Sequence, residues 1–246
     1  MEAHDRRILS ATTFSGANTV VNNLGAIDTR SIEYWSRCLY GSKGFFDSDQ
    51  TIDAVNADRE FLRKYADSNH SVVSPYGDVY YIELDSLLVE GMSVLELGCG
   101  SGLDSYYMHK RGARVTACDI VPTNVLVVRR MLEPEAHVVL LRSYDDLDEL
   151  GTFDLVYSHG CLHHDPPQSI QYVLEKLHNR MYVGSKALVM VYTSQFYPHE
   201  NAHPEGPYAR GYSDDELRHL FGPSVLCLST RVFMNGCFTW GLFEKV

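Results

Sequence analysis

The sequence predicts an α/β fold: a doubly wound sheet, mostly parallel, with an antiparallel C-terminal hairpin strand and a helical cap on its N-terminal side. Three observations carry that expectation. From residue 93 onward, short apolar runs of strand length alternate with stretches of helical length, the signature of a parallel sheet covered on both faces. The first of these runs passes directly into Gly98-Cys99-Gly100-Ser101-Gly102, whose alternate glycines let the backbone turn sharply and lie against a ligand. Near the end, Asn235-Gly236 separates two strand-like segments and signals a hairpin.

Taken in order, residues 1–30 are rich in Asn, Thr, Ser and Gly without periodicity and read as a flexible arm. Residues 31–246 read as one domain: a helical, aromatic-rich cap over 31–90 and a core over 91–246. The cap carries Tyr34, Trp35, Tyr40, Phe45, Phe46, Tyr76, Tyr80 and Tyr81. Core strands are expected near 93–97, 114–118, 137–141, 153–158 and 186–192, with helices near 103–110, 122–132 and 167–180. Asp104 sits in the first turn of the first core helix, and Arg111-Gly112 stops it. Pro166 or Pro167 opens the third, with Asp165 near its cap. Residues 193–212 show no pattern; a stretch that long is either a functional lid loop or an exposed variable loop. Ser213 and Glu216 form a capping box for a short helix reaching Phe221, which Gly222-Pro223 ends. Strands over 225–233 and 237–243 complete the chain.

A chain of 246 residues with 45% hydrophobic content can bury a full core. Its net charge of −11 argues against a phosphate-gripping surface, so no nucleic-acid partner is expected. The cysteines at 38, 99, 118, 161, 227 and 237 include no Cys-x-x-Cys pair and read as small core or loop residues in a reducing compartment. The start lacks a signal-peptide core and no run has the length of a membrane span, so the expectation is a cytoplasmic protein with no membrane partner.

The second strand, near 114–118, ends at Asp119, about twenty residues after the first glycine, where an acidic side chain reaches a ribose in two-strand nucleotide sites. The loop departs from Gly-x-Gly-x-x-Gly, since Leu103 stands where the third dinucleotide glycine would fall, and Glu96 precedes the first glycine by two residues. In this it resembles motif I of the class I S-adenosylmethionine-dependent methyltransferases, whose fold is Rossmann-like. The run Phe153-Asp154-Leu155-Val156-Tyr157-Ser158, followed by Gly160-Cys161-Leu162-His163-His164, is similar to the fourth-strand motif of the bacterial small-molecule type. Residues 187–192 resemble that family's fifth strand, and residues 34–46 its aromatic and glycine element that folds over the cofactor. The likeness covers roughly 31–246 and is firmest over 93–193.

The resemblance implies S-adenosyl-L-methionine as cofactor and S-adenosyl-L-homocysteine as product. It implies that Glu96, Gly98, Gly100 and Gly102 hold the methionine part, that Asp119, with Ile120 beside it, takes the ribose, and that Ser158 and His159 face the methyl group. The family's usual acidic adenine ligand is replaced by Arg142-Ser143-Tyr144. Ser143 through its hydroxyl and Tyr144 by stacking or its amide are the candidates there, with Asp145 as the alternative one register on.

His159 is the candidate general base, against the alternative of a structural histidine. The cluster of His159, Cys161, His163, His164 and Asp165 directly follows a strand, which offers no helix to present a ligand pair, and no metal is expected. Asp165-Pro166-Pro167 differs from the Asp-Pro-Pro-aromatic signature of amino-methyltransferases, because it does not abut the strand and Gln168 replaces the aromatic. The acceptor wall is expected from Tyr34 and Trp35 of the cap and from Tyr192, Phe196, Tyr197, His199, Tyr208 and Arg210 along the lid. The expected function is methyl transfer to a nitrogen, oxygen or activated carbon of a small-molecule acceptor, in the setting of secondary metabolism. Two other functions stay open: a non-catalytic S-adenosylmethionine-binding partner protein, and a methyltransferase acting on tRNA or protein. Assembly as a homodimer also stays open.

Overall fold

The computed structural model describes residues 25–37, 54–72, 77–198 and 208–246. Most of the expected arm, together with Tyr40, Phe45, Phe46, Tyr76, His199 and His203, lies outside the described residues. Helices α1 (Thr29–Trp35), α2 (Arg59–Val72) and α3 (Gly77–Leu87) precede the sheet. There follow β1 (Ser93–Leu97), α4 (Leu103–Lys110), β2 (Arg114–Asp119), α5 (Pro122–Leu132) and β3 (His137–Leu140). The second half runs β4 (Phe153–His159), α6 (Pro167–Asn179), β5 (Met181–Tyr192), α7 (Asp214–Arg218), β6 (Val225–Phe233) and β7 (Phe238–Lys245).

The seven strands form one sheet in the order β3-β2-β1-β4-β5-β7-β6. The first five are parallel, while β7 runs antiparallel to both of its neighbours. β1 is central because both its faces are apolar: Val94 packs with Met108, Val128 and Trp240, while Leu95 packs on the opposite face with Val156, Val173 and Phe243. Strand order reverses between β1 and β4, and in such sheets the loops leaving the carboxyl ends there part to form a crevice. The expected sheet, mostly parallel with an antiparallel C-terminal hairpin, is the one observed.

Three boundaries differ from expectation. β5 starts at Met181, five residues early, because its first turn carries exposed Tyr182 and Val183 and Gly184 at φ 92°, which break the apolar signal. The short helix ends at Arg218, since Leu220 and Phe221 turn inward to the core and Gly222 takes φ 76°. A 3-10 turn over Tyr144–Glu149 was not anticipated; Ser143 and Asp146 cap it as a box whose closing residue is Asp. The described ends of 193–212 are tied down too: Thr193 bridges Tyr212, and Tyr208, Ala209 and Tyr212 are buried.

At α7, Ser213 Oγ accepts from the Glu216 amide at 3.2 Å, and the Glu216 carboxylate accepts from the Ser213 amide at 2.8 Å. Ser213→Ala removes one half of this box and is expected to cost about 1 kcal/mol, read as a lower urea midpoint at unchanged m-value.

Candidate functional site

Loops from the carboxyl ends of β1, β2 and β4 converge on one cleft, and a further wall comes from Ile27, just before α1, and from Ser31 and Trp35 of α1. The cleft is concave and open at its mouth, lined mainly by apolar groups with a few polar ones among them.

The glycine loop is fastened to β2 before it reaches the cleft. The amides of Gly98 and Cys99 donate to the Cys118 carbonyl at 2.8 and 3.0 Å. Gly98 takes φ 81°, and a Cβ there would stand 2.6 Å from both Cβ and Sγ of Cys161, so only glycine fits between β1 and the loop after β4. Gly102, at φ 79°, packs against Val128 and opens α4. Gly100 lies at the cleft with its amide turned to Asp119.

Asp119 closes the other side of the loop. Its carboxylate accepts from the amides of Gly100 and Val121, both at 2.8 Å, and from Asn124 Nδ2 at 3.3 Å. Burial outweighs these donors and pushes its pKa up to about 6. Asn124 Oδ1 is buried with no hydrogen-bond partner among the described residues, an acceptor at the cleft wall suited to a ligand N–H or O–H. Glu96 stands behind the loop, 2% exposed, and accepts from the Ser105 hydroxyl. Burial first, and the charge of Asp104 next, push its pKa well above the ordinary carboxylate range.

On the third loop, Ser158 is fully buried and donates to the Leu97 carbonyl at 3.2 Å. His159 lines the cleft, with Nδ1 2.8 Å from Asp104 Oδ2; the same oxygen accepts from the Tyr157 hydroxyl at 2.8 Å. Burial lowers the His159 pKa to about 3, so the ring is neutral. His164 Nδ1 lies 2.8 Å from the Tyr208 carbonyl, which can only accept, and burial lowers this ring to about 4. His163 is 1% exposed, stacks on Tyr192 at 3.9 Å, and has no hydrogen-bond partner for either ring nitrogen among the described residues. Asp165 accepts from the Tyr144 hydroxyl at 2.5 Å, and burial raises its pKa to about 7.

The structure therefore brings together at the cleft Gly98, Gly100, Asp119, Ile120, Tyr144, His159 and, from the cap, Trp35, whose ring meets that of His164 at 5.0 Å. Other expected residues stand elsewhere. Ser143 is occupied as a helix cap, its hydroxyl accepting from the Asp145 amide at 3.0 Å, and the Asp145 carboxylate pairs with Lys176 at 3.0 Å. Tyr34 is 39% exposed and packs on Trp35. Tyr192, Phe196 and Tyr197 cluster with Phe238, Tyr192 stacking on Tyr197 at 5.1 Å, and Tyr192 joins this cluster to the cleft through the His164 ring at 6.2 Å. Tyr208 is buried, and Arg210 pairs with Glu216 at 2.6 Å while lying 4.2 Å over the Tyr212 ring. Among the described residues no three of His, Cys, Asp and Glu are placed to hold a metal ion. Sequence reasoning missed Asp104, Asn124 and Asp165 as site residues. The two acids read as helix-end residues, and nothing marked Asn124, which reaches Asp119 only because α5 starts directly after β2.

Residues 94–183 match the family described as Methyltransferase domain. A ubiquinone biosynthesis O-methyltransferase of Methylocella silvestris is 38% identical over 79 residues, 31% of each chain. One of Xanthomonas campestris pv. campestris is 41% identical over 80 residues, 31% of this chain and 34% of that protein. The chain thus spans about a third of the length of the curated relatives it matches. Among solved structures, the Burkholderia thailandensis 1,6-didemethyltoxoflavin-N1-methyltransferase, bound to 1,6-didemethyltoxoflavin and S-adenosylhomocysteine, superposes with a TM-score of 0.57 at 20% identity, covering 80% of this chain and 87% of that one. TehB of Haemophilus influenzae gives 0.57 at 17% identity over 75% and 67% of the two chains. At such identities these structures speak for the fold.

Proposed function

We propose that this chain, which belongs to the class I S-adenosylmethionine-dependent methyltransferases, transfers a methyl group to a small-molecule acceptor held at the mouth of the cleft. The observation that carries the reading is the contact of the glycine loop with Asp119: a backbone cradle and a buried carboxylate, 2.8 Å apart, beside the unsatisfied Asn124 Oδ1. That arrangement fits a ribose diol next to a chain that needs close backbone approach. When bound, S-adenosylmethionine supplies a methyl group on a sulfonium, already a good leaving group.

The residues of the chain then have three tasks. Gly98 and Gly100 keep side chains out of the space the methionine part needs, and Asp119 with Asn124 receives the ribose hydroxyls. Tyr144 and Leu141 wall the space for a planar base, and Trp35 narrows the mouth and excludes water. Alignment of two bound reactants can lower a barrier by roughly 7–11 kcal/mol, so the wall does much of the catalysis. His159, neutral and at the cleft, is the residue placed to receive a proton. Secondary metabolism is the proposed setting and the cytoplasm the proposed location; among the described residues no helix is long and apolar enough to cross a membrane.

The pKa of Asp119 makes the reading testable. A ribose hydroxyl donates to the ionised carboxylate, and with a pKa of about 6 that form is the minor one at pH 5 and the major one at pH 7. Calorimetric affinity for S-adenosylhomocysteine is expected to rise about tenfold between those pH values, following the ionised fraction. No binding at either pH would remove the cofactor reading; pH-independent binding would remove Asp119 from it. Binding without transfer from labelled cofactor to any small metabolite would favour the non-catalytic alternative.

A further inference from the structure

Resting on the transfer reading above, we propose that Asp104 is a positioning residue that holds His159 in its Nδ1–H tautomer. Asp104 leaves the first turn of α4, directly behind the glycine loop, and is 9% exposed. Its Oδ2 lies 2.8 Å from His159 Nδ1 and also accepts the Tyr157 hydroxyl at 2.8 Å. Tyr157 and His159 are two residues apart on β4, so both side chains leave the same face of the strand and meet the one carboxylate. A carboxylate accepts and does not donate, so Nδ1 bears the ring proton and Nε2 becomes the basic nitrogen.

The surroundings of the pair suit a weak base. From β7 the Trp240 ring stands 6.2 Å from the His159 ring. From β1 comes Glu96, hydrogen-bonded to Ser105 and held toward its protonated form by burial. From the turn after β4 comes His163, whose pKa burial lowers well below the ordinary value. Asp104 is the carboxylate in direct contact. Burial lowers the His159 pKa to about 3, so the ring is neutral and its tautomer decides which nitrogen is basic.

When the acceptor is a hydroxyl, the oxygen that is gaining a methyl group becomes a strong acid. As the oxygen–methyl bond forms, the methyl–sulfur bond breaks with its electron pair left on sulfur. The O–H electron pair returns to oxygen, and the proton passes to Nε2 of His159. Asp104 then faces an imidazolium at 2.8 Å and offsets part of its burial cost until the proton leaves to water.

Long-range 15N–1H correlation on 15N-histidine-labelled protein with S-adenosylhomocysteine present reads the tautomer, with His159 assigned by difference from His159→Gln. The expected pattern is Nδ1–H at pH 7, with no imidazolium down to pH 5. Asp104→Asn should lose it and Tyr157→Phe, which keeps the carboxylate, should retain it. Nε2–H or a cationic ring in the unaltered protein overturns the role of Asp104, whether or not Asp104→Asn folds. Transfer is read separately, with trideuteromethyl-labelled cofactor and a small-molecule metabolite extract. A labelled methyl product is expected, and on that product Asp104→Asn should lower kcat about 10- to 100-fold with KM little changed. An unchanged kcat overturns the part of Asp104 in transfer. No labelled product overturns the transfer reading, while the tautomer result still decides Asp104.

Discussion

Gly98→Val is expected to abolish cofactor binding and to lower stability as well. The glycine sits at φ 81°, in the left-handed region that a β-branched residue resists. Even its first side-chain carbon would stand 2.6 Å from Cβ and Sγ of Cys161, so the loop after β4 must shift. Overpacking of this kind costs typically 1–3 kcal/mol, to which the backbone strain adds. Because that loop carries Cys161 to the cleft just after His159, the last residue of β4, the displacement is read directly in the site. The measurement is thermal unfolding with and without S-adenosylhomocysteine. A lower Tm that no longer responds to the ligand is the expected result, and a normal ligand-induced rise would show that this loop does not shape the cofactor space.

Asp119→Ala carries the second large effect, because the carboxylate serves the fold before it serves a ligand. Three donors lose their acceptor together: the amides of Gly100 and Val121 and the Asn124 side chain. Each buried unsatisfied group costs roughly 1–3 kcal/mol, and relief of the burial that raises the Asp119 pKa offsets part of the total. A net destabilisation of about 2–4 kcal/mol is expected in urea unfolding. In the fraction that remains folded, affinity for S-adenosylhomocysteine should fall by about 1.5–3 kcal/mol, for loss of charge-assisted hydrogen bonds. Asp119→Asn, which can still accept, separates the effects: stability should recover more fully than affinity. Unchanged affinity in a folded Asp119→Ala protein would place the ribose elsewhere.

The central strands were legible because burial on both faces leaves a continuous apolar run, as in Val94, Leu95 and Leu97, with glycine punctuation after it. The terminal hairpin was legible from Asn235, the one described non-glycine residue with positive φ, followed by Gly236 at φ 89°. The start of β5 was not, because Tyr182 and Val183 are exposed and the pairing register shifts opposite Phe153. In the site, local spacing placed the glycine loop and Asp119 side by side. What spacing could not show is which polar groups from distant segments meet: Asp104 with His159, Tyr144 with Asp165, Cys161 with Gly98. Those pairs lie from 21 residues apart, for Tyr144 and Asp165, to 55 and more, and are made by the sheet order. The aromatic residues expected as one acceptor wall meet for the same reason through a histidine that spacing did not single out for this: His164 stands between Trp35 and Tyr192, at 5.0 and 6.2 Å.

The position of β7 between β5 and β6 bears on biosynthesis. A chain emerging from a ribosome presents β6 before β7, yet among the described strands β6 pairs with β7 alone, so it joins this sheet when the later strand arrives. Until then the β5 edge stands open along Lys186–Tyr192, with Leu188, Val189, Met190 and Val191 in it. That is a row of unsatisfied amides and carbonyls in an apolar, β-branched setting, the kind of edge that recruits other chains. A nascent chain halted before residue 238 is therefore an aggregation-prone species, and release of β7 in one step closes both β5 and β6.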